Sequence, residues 1–166
     1  MSAEELLQVA IIVNILAATI RIATPLLLTA LGELVTERAG ILNLGLEGMM
    51  LMGAFISFLV AHQTGSTELA LAAAVAVGAT MALISAIMTI TLKVDQVVTG
   101  MAINLLGSGM SLFWYRSVFG EFATGEMPTI TMMQNVRVPL LSDIPYLGEI
   151  LFSHRILTYL AFLAVP

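Results

Sequence analysis

The stretch Leu69-Ala-Leu-Ala-Ala-Ala-Val-Ala-Val-Gly-Ala-Thr-Met-Ala-Leu-Ile-Ser-Ala-Ile-Met-Thr-Ile-Thr-Leu92 runs for 24 residues without a charge. A helix needs about 20 predominantly apolar residues to cross a ~30 Å hydrocarbon core, so this segment predicts a transmembrane helix. The rest of the chain agrees. Of its 166 residues 59% are hydrophobic and 10% charged, and the mean hydropathy is +1.02. Counting its 13 glycines, about two-thirds of the chain is apolar, against roughly 45–50% in soluble domains, whose charged share is ~25%. Too few charged groups remain to clothe a water-soluble core, and disorder is excluded on the same grounds. The composition specifies an integral membrane protein of the all-α, polytopic helical-bundle class.

Working outward on both sides, four further apolar runs appear. Leu6 to Leu31 is interrupted by Arg21 and Pro25, and a polar stretch from Gly32 to Asn43 follows it. Leu44 to Ala61 holds Glu47 and three glycines, and His62 to Glu68 forms a short polar turn. After Lys93-Val-Asp95 comes Gln96 to Tyr115, another 20 uncharged residues. From Arg116 to Arg155 the chain turns polar and acquires prolines at 128, 139 and 145; Ile156 to Val165 is then apolar for ten residues. Ten residues span about half a membrane. The expectation is therefore four complete spans and the start of a fifth, all within one transmembrane domain covering 1–166 as the N-terminal part of a longer protein. Arg38 and Lys93 occupy 15 loop residues on one side, whereas Arg116, Arg137 and Arg155 are spread over 47 on the other. The positive-inside rule thus places loops 32–43 and 93–95 in the cytoplasm and the N-terminus outside.

The net charge of −5 is thinly distributed, and no basic cluster suits nucleic acid or anionic lipid. With no cysteine there is neither a disulfide framework nor a thiolate metal site. Met1-Ser-Ala-Glu-Glu5 lacks the basic start of a secretory signal, so the first run reads as a retained span. No phosphate-cradling glycine loop, Ser/His/Asp grouping or carboxylate pair is present, and nothing resembles an enzyme. Met49, Met50 and Met52 suit core filling better than a soft-metal ladder. His62 and His154 stand alone at loop edges and read as interfacial.

Polar residues inside the apolar runs carry the remaining information. Arg21 lies mid-run, where a charge faces protein or water; it either borders a substrate path or snorkels from a span that ends or kinks near Pro25. Glu33 and Glu37 lie one turn apart and repel on a shared helix face. Gly40, Gly45 and Gly48 permit a hinge or close backbone packing. Asn43 and Glu47, one turn apart, are expected on one side of the helix that follows. The 32–48 segment is either a cytoplasmic loop or a broken helix of the kind transporters build into a site. In the fourth span Gly100, Asn104, Gly107, Ser108 and Ser111 recur at spacings of three and four. That small, polar stripe admits a neighbouring helix or lines a conduit. The series Ala72, Ala76 and Thr80 in the third span reads as a packing face. Residues 129–152, broken by proline, read as a connector or a segment lying across the membrane surface.

Three stretches together resemble a family. Ala23-Thr-Pro-Leu-Leu-Leu-Thr-Ala-Leu-Gly-Glu-Leu-Val-Thr-Glu-Arg-Ala-Gly-Ile-Leu-Asn-Leu-Gly-Leu-Glu-Gly-Met-Met-Leu-Met-Gly-Ala54 is similar to the signature of bacterial ABC-importer permeases of the branched-chain amino acid, ribose and nucleoside group. Lys93 to Gly107 and Pro139 to Phe152 agree with it in order, so about half the chain is covered. Asn43-Leu-Gly-Leu-Glu-Gly48 resembles the nucleoside, or simple-sugar, type. The resemblance implies a multi-pass permease subunit of the bacterial inner membrane that moves a small polar solute, and not an enzyme. It implies a second permease subunit, an extracytoplasmic solute-binding protein and cytoplasmic ATPase subunits that hold ATP-Mg, this chain having no cofactor of its own. The coupling segment for the ATPase is expected beyond Pro166. The resemblance also assigns Asn43, Gly45, Glu47 and Gly48 to one family motif and Gln96, Gly100 and Asn104 to a second. Asn43, Glu47 and Asn104 are expected to approach the translocation path or to hold its broken helices. Without the resemblance, a gradient-driven transporter or channel fits the same composition.

Overall fold

The structure is a computed structural model and describes residues 3–120, 129–130, 133–137, 142 and 147–165. It is helical, and four of its helices are long and apolar enough to cross a membrane: 7–38, 46–64, 67–91 and 96–119. It divides into two compact units, one of residues 1–35 and 133–166 and the other of residues 36–132.

The first unit holds most of α1 (Ala3–Arg38), a single 36-residue helix. Pro25 lies inside it but does not end it. A proline removes one N–H and leaves the carbonyl four residues back, that of Arg21, without its helical donor. Of the end or kink near Pro25 that is one reading of Arg21, the end is absent, and residues 32–38 of the expected polar stretch belong to the helix. Hydroxyls bond back along it: Thr19 to the carbonyl of Ile15, Thr24 to that of Ile20 and Thr29 to that of Pro25, each at 2.8 Å. This unit also contains β1 (Val136–Arg137), α5 (Leu147–Leu151), β2 (Ser153–His154) and α6 (Ile156–Ala164). Val136 pairs with His154 and Arg137 with Ser153 in a short antiparallel ladder. The 129–152 region is therefore more than a connector where it is described; residues 131–132, 138–141 and 143–146 lie outside the described residues.

Buried hydroxyls join α6 to α1. Thr24 and Thr158 are both buried, and their Oγ1 atoms lie 3.1 Å apart. Each thus supplies the other with a partner in an apolar setting. His154 is 1% exposed, covered by its own chain, and its Nε2 lies 2.6 Å from the carbonyl of Ile150. Tyr159 ties the ladder to α6, its Oη accepting from His154 N (3.2 Å) and donating to the Val136 carbonyl (3.0 Å).

The second unit is a three-helix assembly in which α2 (Leu46–Thr64) packs against both α3 (Thr67–Ala86) and α4 (Gln96–Phe119). Its core is Met49, Met52, Met81 and Ile103, with Val77 and Met110 packed around it. Flexible thioethers suit the irregular space between three helices. The connection from α2 to α3 is short because both ends are capped. Gly65 adopts a left-handed φ of 68° at the α2 terminus, and Ser66 Oγ accepts from Leu69 N (3.3 Å) at the α3 start. A π-helical turn, Ile87–Thr91, ends the third span, and Lys93 takes a left-handed φ of 53° in the turn that follows. Asp95 then caps α4, its Oδ1 accepting from Val97 N (2.8 Å) and Val98 N (3.1 Å). The expected packing face of α3 is not covered within this unit. Ala72, Ala76 and Thr80 are exposed, and α3 turns Ala70, Met81 and Ser85 inward instead. Small residues mark a face that tolerates close approach, but the larger Met81 reaches the core shared with α2.

Candidate functional site: the 40–48 segment on helix α4

A glycine stops α1. Gly40 has φ +82°, its N–H donates to the carbonyl of Glu37 (2.9 Å), and Ile41 N–H donates to that of Thr36 (3.0 Å). This paired arrangement is a Schellman motif, whose left-handed position glycine fills without steric cost. The chain then runs without helical structure through Ile41, Leu42 and Asn43, turns at Leu44 and Gly45, and enters α2 at Leu46.

Asn43 is not on the helix with Glu47, contrary to the expectation from their spacing. Its Oδ1 accepts from Gly45 N (3.1 Å) and its Nδ2 reaches Met49 Sδ (3.8 Å), so it shapes the turn that precedes α2. This local bond competes with helix and explains why α2 begins two residues later than the apolar run does. Glu47 occupies the first turn of α2 and is exposed; a carboxylate there faces the positive end of the helix dipole. Arg21 is exposed on α1, in the other unit. Glu33 is half-buried and Glu37 exposed, both on the last turns of α1.

One face of α4 meets the 40–48 segment along its length. At the first turn, Gln96 Oε1 accepts from Leu42 N (2.8 Å) while its Nε2 donates to the Gly40 carbonyl (3.4 Å). Two turns on, Asn104 Oδ1 accepts from Gly48 N (2.6 Å) and its Nδ2 donates to the Leu44 carbonyl (3.0 Å). Each side-chain amide thus presents one donor and one acceptor to the backbone, as a peptide group would. The Gly48 N–H belongs to the first turn of α2, which has no internal partner for it, so Asn104 fills a need built into every helix start.

Glycines make this approach close enough for bonding. A Cβ on Gly100 would lie 2.6 Å from Leu44 Cβ, and one on Gly45 2.8 Å from Ile103 Cγ2. One on Gly48 would lie 2.6 Å from the Ile103 carbonyl oxygen, and one on Gly107 2.5 Å from the Gly48 carbonyl carbon. All four separations are well inside the ~3.5–4.0 Å of ordinary carbon contacts. Gly48 and Gly107 therefore face each other where α2 and α4 are nearest. Residues 96, 100, 104 and 107 form one stripe at steps of four, four and three.

The expected stripe divides. Gly100, Asn104 and Gly107 meet the backbone of 44–48, whereas Ser108 and Ser111 turn to an open groove of about 550 Å³ between α2 and α4, walled by Leu51, Phe55, Phe58 and Tyr115. The hydroxyl protons of both serines go to their own helix, to the carbonyls of Asn104 (2.7 Å) and Ser108 (3.0 Å) respectively. Beyond the groove, His62, Phe58, Tyr115 and Phe119 form an aromatic cluster with ring centroids 5.3–6.3 Å apart. Sequence reasoning placed Gln96 in a motif but gave it no contact. Its step of four from Gly100 was the signal that it extends the stripe.

Known proteins align with the whole of this arrangement. The chain is 42% identical over 145 residues to a guanosine ABC transporter permease protein of Bacillus subtilis, covering 84% of this chain and 45% of that one. It is 33% identical over 149 residues to a nucleoside ABC transporter permease protein of Lactococcus lactis, covering 86% and 45%. A Haloferax volcanii protein provisionally named as a glucose ABC transporter permease is 42% identical over 153 residues, covering 92% and 46%. The chain spans about half the length of these curated relatives. No solved structure matches it. Residues 15–165 match the model of the permease component of branched-chain amino acid transport systems, and with four membrane-length helices the chain belongs to that family of multi-pass membrane permeases.

Proposed function

We propose that the full-length protein is the membrane-spanning subunit of an ATP-driven importer of the cytoplasmic membrane, and that its solute is a nucleoside. The observation that carries this reading is the 42% identity to a guanosine permease across residues that include the 40–48 segment and its partners on α4. A simple sugar is the second reading, favoured by the similarly close relative named for glucose. Nucleoside and sugar share hydroxyl-rich chemistry that neutral hydrogen-bonding groups recognise.

In this reading the chain hydrolyses nothing. A second permease subunit completes the passage, an extracytoplasmic binding protein delivers solute, and ATP-Mg is held by cytoplasmic ATPase subunits. ATP-driven closure of those subunits shifts the bundle between inward- and outward-open populations. Asn43, Asn104, Gly40, Gly45, Gly48, Gly100 and Gly107 hold the broken connection between α1 and α2. Glu47 and Arg21, both exposed, are the candidates to face the passage or the second permease.

Uptake of labelled guanosine, uridine, ribose and glucose is measured in cells lacking the complete gene and the redundant importers, with and without the gene restored. The proposal expects restoration to raise guanosine uptake at least tenfold above the gene-less strain. Restored sugar uptake with unchanged nucleoside uptake would move the assignment to the sugar. Transport by the purified full-length polypeptide alone, without an ATPase, would overturn the importer reading.

A further inference from the structure

We propose that Gln96 is a positioning residue that, with Asn104, binds the 40–48 segment to α4 so tightly that the two move as one body, and that the segment is not a hinge. The inference rests on the transport reading above for its functional consequence but not for its physical content.

Four observations converge. Both polar atoms of Gln96 are engaged by the backbone of 40–42, and both polar atoms of Asn104 by the backbone of 44–48. Four glycines lie between or beside these two points, Gly100, Gly45, Gly48 and Gly107, and at each the neighbouring chain is too close to admit a Cβ. Asn43 fixes the turn internally through Gly45 N. The one left-handed glycine of the segment, Gly40, is committed to the Schellman stop of α1, which fixes its dihedral angles. A hinge needs a few residues free to absorb a change in φ and ψ. From Leu42 to Gly48 such freedom would break several bonds at once.

Gln96 then has a role distinct from solute binding. It carries the coupling about two turns of α4 further toward the end of α1, where its Oε1 accepts from the Leu42 N–H. Glutamate at this position keeps the acceptor for Leu42 N–H, and alanine removes it.

The full-length protein in lipid nanodiscs is followed by residue-resolved hydrogen exchange. In Gln96→Ala the Leu42 amide is expected to exchange about tenfold faster than in the parent, while Gln96→Glu stays within about threefold of it. Equal exchange at Leu42 in the parent and in Gln96→Ala would overturn the clamp, whatever the solute proves to be. The pair Gly45→Cys with Ile103→Cys tests the single body, since the chain has no cysteine of its own. A Cβ built on Gly45 lies 2.9 Å from that of Ile103, and a disulfide prefers about 3.8 Å, so oxidation closes the bond after a shift of about 1 Å. Oxidised protein, reconstituted with its partner subunits, is expected to take up solute at half the reduced rate or more. A fall of tenfold or more on oxidation, reversed by reductant, would show that the segment swings on α4 and would overturn the proposal. Parent protein that takes up neither nucleoside nor sugar would count against the transport reading alone and leave the exchange result to decide this one.

Discussion

Adding one methyl group where α2 and α4 are nearest tests the geometry most severely. In Gly107→Ala the new Cβ would stand 2.5 Å from the Gly48 carbonyl carbon and 2.6 Å from Gly48 Cα. Carbon atoms rest at about 3.5 Å, so the helices must part by about 1 Å. Backbone on both sides leaves no flexible side chain to yield. Overpacking of this kind costs about 1–3 kcal/mol. The same parting stretches the 2.6 Å bond from Gly48 N to Asn104 Oδ1 beyond hydrogen-bonding range, for about 1 kcal/mol more. Alanine's better helix propensity returns about 0.5–1 kcal/mol. The net expectation is a destabilisation of about 1–3.5 kcal/mol. Gly109→Ala, two residues on, is the internal control, because a Cβ there meets nothing within 4 Å and should be neutral or stabilise by up to about 1 kcal/mol. Reversible unfolding of the full-length protein in mixed micelles, titrated with denaturing detergent, measures both. If the two variants unfold at the same detergent fraction, the close approach of α2 and α4 is wrong.

Three further tests follow from individual side chains. Thr24→Val should destabilise the α1–α6 pair by about 1 kcal/mol by taking away the partner of the buried Thr158 hydroxyl, and Thr158→Val by less, because Thr24 keeps its bond to the Ile20 carbonyl; the double variant should lose less than the sum, and a strictly additive cycle in the same unfolding assay would contradict the pairing. Asp95→Ala should cost about 1 kcal/mol by uncapping α4, and Asp95→Asn should recover most of it; equal loss in both would show that the cap bonds are not formed. Tyr159→Phe removes two bonds around His154, and exchange at the His154 amide should rise about tenfold or more, with unchanged exchange refuting the link.

The spans were legible because lipid imposes a simple length and polarity requirement on them. The uncharged runs at 69–92 and 96–115 correspond to helices ending at Thr91 and Phe119. Their ends were less legible. Arg21 and Pro25 look disruptive one residue at a time, yet only one backbone donor is lost and the helix continues. Gly32, Glu33 and Glu37 look like the start of a loop by hydropathy, but hydrophilic side chains do not break a helix. What ends α1 is the left-handed position at Gly40, a signal of conformation and not of polarity. The burial of His154 is not legible for a similar reason: a lone histidine at a loop edge gives no sign that Ile150 and Tyr159 bond to it.

The candidate site shows which kind of inference a sequence carries. Spacing alone put Gly100, Asn104 and Gly107 on one stripe, because helical periodicity is local. It did not say what lies against that stripe, since the partners are more than 50 residues away and mostly backbone atoms, which no residue letter records. Asn43 and Glu47 illustrate the opposite error: a local rule applied to a residue that had already left the helix. A glycine on α4 has meaning only with a second glycine or a bare peptide across from it, and Asn104, with one donor and one acceptor given to the backbone, keeps one N–H and one lone pair. Neutral polar residues in this segment therefore serve the backbone first, and only their remaining hydrogen-bonding capacity is open to a ligand. Ser108 and Ser111 line the groove and spend their protons on carbonyls of α4, so what they offer there is acceptor capacity alone.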